Sequence, residues 1–471
     1  MKLSRRNFIG AGGAVAASSV MGVFADGIRP ELRFGLISDV HFSPKKGVAD
    51  KRFREALEWF RSKEVDAIVC TGDLTNCGMQ TELENLACVW TEVFPGGCRP
   101  DGRRVERVFL CGNHDTDPVM SQIAIRRGYE KEFRASAIRN DPDRVWRKYF
   151  GEPFEPVFMK KIKGYTFIAS HWIDSESSAA APAFIEAHRA ELEGTRPFFY
   201  CQYAPIRGTV NPSMGHYDNG VMRKTLNAFP NAVAFSGHSH NSLTDETSIW
   251  QGGFTAVGSG ALANSGRRYR APWYENSEVP GATSAYPGRK GSQMPFLNTE
   301  KDGAQGLLVD VYSDRIVFQR RSFSYAVSNG PDWIVPLPVG ESRPYAIAPR
   351  KAASVPPGFA ADAEITTRER DGFNREGLAT RQLVVTFPAA ATGTRPHSYE
   401  IKVESVSGSV RPVVKYLLSP DFHLPLSRKV ESVECALALS GLPAAGDRRI
   451  TVRSYDSFRN AGPALIWPRG V

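Results

Sequence analysis

From residue 31 onward the chain alternates short apolar runs with segments of helical periodicity, and this alternation restricts it to a layered α/β fold. The runs are LRFGLIS, VDAIVCT, VERVFLC, YTFIAS, PFFYC and NAVAFS, each the length of one strand. Between the first two lies ADKRFREALEWFRSKEV, where Phe53, Leu57 and Phe60 recur at helical spacing and define one face to be buried. TELENLACVWTEVF repeats the pattern with Leu83, Leu86, Trp90 and Val93. Both helices are expected to pack against a sheet rather than a partner. SIWQGGFTAVGS, GLLVDVYS and RIVFQRRSF follow as further strands, the last two joined by a turn at Ser313 and Asp314.

The residues at the ends of these runs point to chemistry. Asp39 and His41 in SDVHF, Asp73 in TGDLTN, Asn113 and His114 in CGNHD, and His238 with His240 in SGHSH each follow a strand directly. In layered α/β folds, side chains just beyond the carboxyl ends of strands converge on one crevice. Carboxylate oxygen, amide oxygen and imidazole nitrogen form a mixed hard and borderline donor set, suited to Mn, Fe or Zn. Alternation along an extended chain would turn Asp39 and His41 to one side, and His238 with His240 likewise. Gly72, Gly112 and Gly237 permit sharp turns or close backbone approach at these sites. One D-x-H or H-x-H pair is weak evidence, being more often two polar residues at a strand end, but four such elements in this order are not.

The series resembles the calcineurin-like metallophosphoesterase superfamily over about residues 31–325. The resemblance implies a four-layer α/β/β/α sandwich with two divalent metal ions between its loops. Carried onto the matching positions, it implies Asp39, His41 and His240 on the first ion, Asp73 bridging, and Asn113 and His238 on the second. His114 would stand beside the substrate phosphate, with Asp115 orienting its ring. The implied reaction is hydrolysis of a phosphomonoester or phosphodiester by a hydroxide activated between the two ions. One departure concerns the second ion, to which the family supplies a further histidine after the fifth strand, in a segment ending with proline. This chain reads FFYCQYAPI there, and Gln202 stands at the expected place. Its amide oxygen either coordinates, favouring harder ions such as Mn or Mg, or serves only in hydrogen bonding. His171 in ASHWIDSE and His216 in NPSMGHYDNG are candidate substrate contacts, each without a spaced partner. The alternative function is a non-catalytic exported metal-binding protein that attaches to a partner or glycan, and retention of His114 counts against it.

The flanking segments add context. Arg5 and Arg6 in SRRNFIG, followed by AGGAVAASSVMGVFA, resemble a twin-arginine export signal over residues 1–25, which places the expected mature protein in the periplasm or outside the cell. That run is too short and too rich in glycine and alanine for a stable span, and no later segment offers about 18 uninterrupted apolar residues. The polar, glycine-rich stretch 261–300 is a loop of the kind in which substrate specificity resides. Prolines then mark a linker at 326–345, after the catalytic domain at 31–325 and before a small all-β sandwich at 346–471. The sandwich rests on LVVTF, YEIKVES, VRPVVKYLL, VECALALS and RRITVRSY, and it resembles a fibronectin type III or immunoglobulin-like module that would contact the catalytic domain or another macromolecule. The net charge of +9 favours anionic partners such as a phosphate ester. No dense basic run interleaved with aromatics marks a nucleic-acid groove. Among the seven cysteines, Cys77, Cys88 and Cys98 are the candidates for a disulfide.

Overall fold

The computed structural model describes residues 29–45, 47–173, 176–177, 179–210, 218–263, 303–339, 342–373, 379–420 and 424–468. The segment 1–25, His216 and most of the 261–300 stretch lie outside the described residues.

The apolar runs form strands, and the helical patterns pack over them. In chain order the elements of the first half are β1 (Leu32–Ile37), α1 (Val48–Ser62), β2 (Ala67–Cys70), α2 (Gln80–Val93), β3 (Glu106–Phe109) and α3 (Asn113–Thr116). Then come β4 (Val157–Ile162), β5 (Tyr165–Ser170), the small hairpin β6 (Trp172–Ile173) and β7 (Glu176–Ser177), β8 (Phe198–Gln202) and β9 (Ala232–Ser236). The series closes with β10 (Ile249–Gln251), β11 (Thr255–Gly258), β12 (Gln305–Val311), β13 (Arg315–Ser322), β14 (Val327–Ser328) and β15 (Trp333–Pro336).

Two sheets result. One runs β14-β13-β12-β1-β2-β3 with β15 also pairing β13, and the other runs β10-β11-β9-β8-β5-β4. Within them β1, β2 and β3 are mutually parallel, as are β5, β8, β9 and β11, so the loops that bear the Asp, Asn and His series all leave from carboxyl ends. Between the sheets Phe34 meets Phe167, Phe199 and Phe235 at centroid distances of 5.4, 5.2 and 5.8 Å, all edge-on and fully buried. Burying each such ring contributes about 1.5–3 kcal/mol. On the outer face of the first sheet lie α1 and α2, with Phe53, Leu57, Phe60, Leu83, Leu86 and Trp90 in one core. The Phe60 ring lies against Gly35 of β1, where any Cβ would collide with it. Ile185 and Leu226, from the helices Ala181–Ala187 and Val221–Leu226, cover the outer face of the second sheet, which completes the α/β/β/α layering.

The first sheet continues beyond residue 325. Trp333 and Val335 of β15 turn into the inter-sheet core, so the segment expected as a linker from 326 begins as edge strands, with prolines tolerated at the edge. The all-β region beyond it holds two antiparallel sheets. Strands Thr366–Phe373, Ala379–Pro388 and Ser432–Ala438 form one, and Val413–Leu418, Ser398–Ser405, Arg448–Tyr455 and Leu465–Trp467 the other. Leu383, Val385, Phe387, Tyr399, Ile401 and Val452 share a core between them. Phe458 of this region joins the cluster outside the second catalytic sheet, and Asn460 Nδ2 donates to Lys351 O at 2.8 Å. All seven cysteines are free, so Cys77, Cys88 and Cys98 form no disulfide. Among the described residues no helix is long and apolar enough to cross a membrane.

One carboxyl in this scaffold makes stability depend on pH. Glu82, in the first turn of α2, is buried, and its Oε2 accepts the N–H groups of Cys77 and Met79 at 3.0 and 3.1 Å. Burial, against those hydrogen bonds, pushes its carboxyl up to about 8 from its ordinary value of 4.5. A raised value means that the folded state holds the proton: the stability this gives is complete below about pH 4.5 and is lost as pH rises through about 8. Glu82→Gln keeps the acceptor but cannot ionise. Urea denaturation should find it more stable than wild type at about pH 9, by a few kcal/mol at most, and near wild type at about pH 5. An equal difference at the two pH values would contradict this assignment.

Candidate metal centre

The loops that carry the ligand series share an uncommon backbone. Asp39, His41, Asp73, His238 and His240 have φ of 53°, 55°, 51°, 63° and 50°. Left-handed conformations cost a non-glycine residue roughly 1–3 kcal/mol each and persist where surrounding structure enforces them. Extended alternation is therefore not what aligns Asp39 with His41. Two left-handed residues flank Val40, past the end of β1, and Val40 goes into the outer core. The loops hold one another through their backbones: Asp39 N donates to Gly72 O at 2.9 Å, and Val40 N and His41 N both donate to Asp73 O at 2.9 and 3.0 Å. Gly72, at φ 118°, could bear no Cβ without striking the Tyr203 ring, and one at Gly112 would strike Asp73.

Asp39, His41, Asp73 and His240 each offer one ligand atom, and these atoms all lie within 4.8 Å of one another. His240 Nε2 is 3.2 Å from Asp39 Oδ1 and 3.3 Å from His41 Nε2, and His41 Nε2 is 3.5 Å from Asp73 Oδ2. Donors held about 2.1 Å from a tetrahedral ion stand about 3.4 Å apart, so this set fits a divalent cation. His240 Nδ1 donates to Ala263 O at 2.8 Å, which leaves Nε2 as the lone-pair nitrogen on the cluster side. Burial raises the Asp39 carboxyl, but the adjacent His240, by its charge and its hydrogen bond, more than reverses this and holds it below its usual value. Burial together with the Asp39 charge pushes Asp73 well above the carboxylate range. Two buried carboxylates in repulsion are what a bound cation relieves.

His114 stands beside this cluster rather than in it. Its backbone N–H donates to Asp73 Oδ1 at 2.8 Å, and its ring lies 4.6 Å from that of His41. Ring nitrogen Nδ1 meets the Asn76 carbonyl at 2.8 Å, so a backbone oxygen fixes the tautomer. Asp115 does not orient that imidazole. It is the third residue after Gly112, and its oxygens accept from Gly112 N (2.7 Å), Leu74 N (3.1 Å), Thr75 N (2.8 Å) and Thr75 Oγ1 (2.7 Å). It caps α3 and clamps the β2 loop that carries Asp73, and burial raises its carboxyl to about 7.

Asn113 and His238 are also brought to Asp73, but around a side chain that the sequence reading did not single out. Tyr203 Oη lies 2.5 Å from Asp73 Oδ2, 2.6 Å from Asn113 Oδ1 and 2.7 Å from His238 Nδ1.

Residues 32–242 match the model of the family described as calcineurin-like phosphoesterase. This region is a calcineurin-like phosphoesterase domain. It identifies a phosphoesterase hydrolase, and the family implies divalent metal ions. Among solved structures the chain is similar to a dimetal phosphatase from Danio rerio, at 11% identity over 65% of this chain and 99% of that one, with a TM-score of 0.37. It is also similar to the purple acid phosphatase PPD1 from yellow lupin seeds, at 12% identity over 64% of this chain and 53% of that one, with a TM-score of 0.38. GAP50, the anchor in the inner membrane complex of Plasmodium, is matched at 11% identity over 66% and 90%, with a TM-score of 0.32. No curated protein matches the chain.

Two further candidates in the phosphoesterase domain sit away from the cluster. Gln202 is buried at the end of β8, where its Oε1 accepts from Tyr200 Oη at 3.0 Å and its Nε2 donates to Ala204 O at 2.5 Å. Tyr200 belongs to the core outside the second sheet, and one residue along a strand reverses the side-chain direction. From this segment Tyr203 therefore reaches the site and Gln202 does not. His171 is likewise no substrate contact: its Nδ1 accepts the Cys111 N–H at 3.0 Å, and its ring stacks on Phe154 at 4.2 Å. Burial lowers its pKa to about 3, so it is a neutral packing residue.

Proposed function

We propose that this chain hydrolyses a phosphomonoester or phosphodiester outside the cytoplasm, using a divalent cation held by Asp39, His41, Asp73 and His240. The observation that carries the proposal is the convergence of these four side chains, from three separate loops, at ligand spacing. A bound ion would lower the pKa of water and neutralise phosphate oxygens, and Mn, Fe and Zn all suit two carboxylates with two imidazoles. The chain's own groups supply the rest. His114, its Nδ1–H held by the Asn76 carbonyl, would turn Nε2 to a phosphate or leaving-group oxygen and, in its imidazolium form, give up the Nε2 proton there, returning to the neutral Nδ1–H tautomer. Asp115 keeps the Asp73 loop in place, so that the carboxylate does not swing away when substrate enters.

Export is read from Arg5 and Arg6 ahead of a short apolar run. The C-terminal region is read as a fibronectin type III or immunoglobulin-like module, supported by three plus four antiparallel strands around one core. The test uses purified protein with a mono- and a diaryl phosphate before and after chelation. Turnover should vanish on chelation and return with at least one of Mn, Fe and Zn, and the same ion should raise the melting temperature, by about 2.7 kcal/mol of stability at a hundredfold excess over its dissociation constant. Turnover indifferent to chelation would refute the proposal, and ion binding without turnover on either ester would favour the non-catalytic reading.

A further inference from the structure

We propose that the metal centre is mononuclear, with the Tyr203 phenol standing in the position that a second ion would take. The inference rests on the reading of Asp39, His41, Asp73 and His240 as an ion site and adds what happens beside it.

Three donors suited to a second ion, Asp73 Oδ2, Asn113 Oδ1 and His238 Nδ1, all face one oxygen, Tyr203 Oη, at 2.5, 2.6 and 2.7 Å. Those are hydrogen-bond lengths, whereas a transition-metal ion would need the same atoms at about 2.0–2.2 Å from itself. The hydroxyl meets all three needs as it stands. Its one proton is shared between the Asp73 carboxylate and the Asn113 amide oxygen, and it accepts from the His238 Nδ1–H.

The ring has no room to withdraw. Tyr203 is fully buried, packs edge-on against Trp172 at 5.6 Å and against His238 at 4.7 Å, and lies over Gly72. Its own carbonyl accepts the Gly237 N–H at 2.9 Å, tying it to the loop that bears His238. No replacement donor comes from the same strand, because Gln202 turns to the opposite face. Asp73 is accordingly a ligand of one ion instead of bridging two: its Oδ2, the oxygen that approaches His41, is also held by the Tyr203 hydroxyl, and its Oδ1 by the His114 N–H. Tyr203 is a positioning residue: it keeps Asp73, Asn113 and His238 in place by hydrogen bonds where a second cation would do so by charge.

The test counts ions and asks whether they are coupled. The full chain, freed of metal and titrated with Mn(II), should bind one ion per chain and give the spectrum of an isolated Mn(II) by electron paramagnetic resonance. Tyr203→His, which removes the hydroxyl and offers an imidazole, should raise the stoichiometry from one to two and produce an exchange-coupled pair. Two ions of similar affinity in the wild-type protein, with a coupled spectrum, would overturn the inference while leaving metal-dependent hydrolysis intact. A tyrosinate-to-iron charge-transfer band on loading wild type with Fe(III) would also overturn it, by making Tyr203 a ligand. Should Tyr203→His not fold, the wild-type stoichiometry and spectrum still decide. Absence of any bound ion together with absence of turnover would reject the metal-site reading itself.

Discussion

Asp73→Asn is expected to abolish turnover and, at the same time, to raise the melting temperature of the metal-free protein. Both effects come from the same carboxylate. Asp73 is buried beside Asp39, and burial with that neighbouring charge raises its pKa well above an ordinary carboxyl. A group whose folded value is raised disfavours the ion-free folded state at every pH above the unfolded carboxyl's value, because the buried carboxyl must either keep a proton that the unfolded chain releases or carry its charge out of water. Asparagine keeps one acceptor for the His114 N–H, can itself donate to the Tyr203 oxygen, and removes the repulsion. The gain should be clear at about pH 7 and should shrink toward about pH 4, where the unfolded carboxyl takes up its own proton. With an ion present the order reverses, because the variant lacks an anionic ligand: kcat/KM should fall by about a thousandfold or more, and added Mn(II) should no longer raise the melting temperature. Calorimetry of both proteins, with and without ion, checks all of this. A metal-free variant less stable than wild type would show that the Asp73 hydrogen bonds outweigh its charge.

His114→Ala should show the opposite division, losing turnover without losing the ion. Its imidazole is held by the Asn76 carbonyl and lies edge-on beside His41 of the four-residue cluster, while the bond to Asp73 comes from the backbone N–H. Truncation leaves that N–H in place. Removing a positioned acid or electrophile lowers kcat by about 10²–10⁴-fold, and here ion affinity should change less than threefold. Isothermal titration with Mn(II) alongside steady-state kinetics separates the two quantities. Equal losses in both would make His114 part of the coordination sphere, and unchanged kcat would remove it from the reaction.

The layers were legible in the sequence because strand and helix periods are properties of the residues themselves: Phe53, Leu57 and Phe60 face a sheet as their spacing demands. The ligand loops were legible because Asp, Asn and His at the ends of apolar runs have few other reasons to recur there. What escaped depends on backbone detail that residue type does not encode. Nothing in Asp39 or His240 announces a left-handed φ. Gln202 and Tyr203 differ by one residue, and only the phase of β8 decides which of them turns to the site. The partner of the His114 ring is a carbonyl of Asn76, and a main-chain acceptor leaves no trace in a motif, whereas the acidic neighbour Asp115 invited the wrong pairing. Prolines around Trp333 read as a linker, although at a sheet edge they are compatible with pairing.

Anomalous diffraction from crystals of the full chain grown with Mn(II) tests the central claim most directly. A peak enclosed by Asp39, His41, Asp73 and His240, about 2.0–2.3 Å from their nearest nitrogen and oxygen atoms, is the result that the account predicts. A protein that hydrolyses aryl phosphates with its ion bound elsewhere, and with these four side chains making no contact to it, would contradict the account.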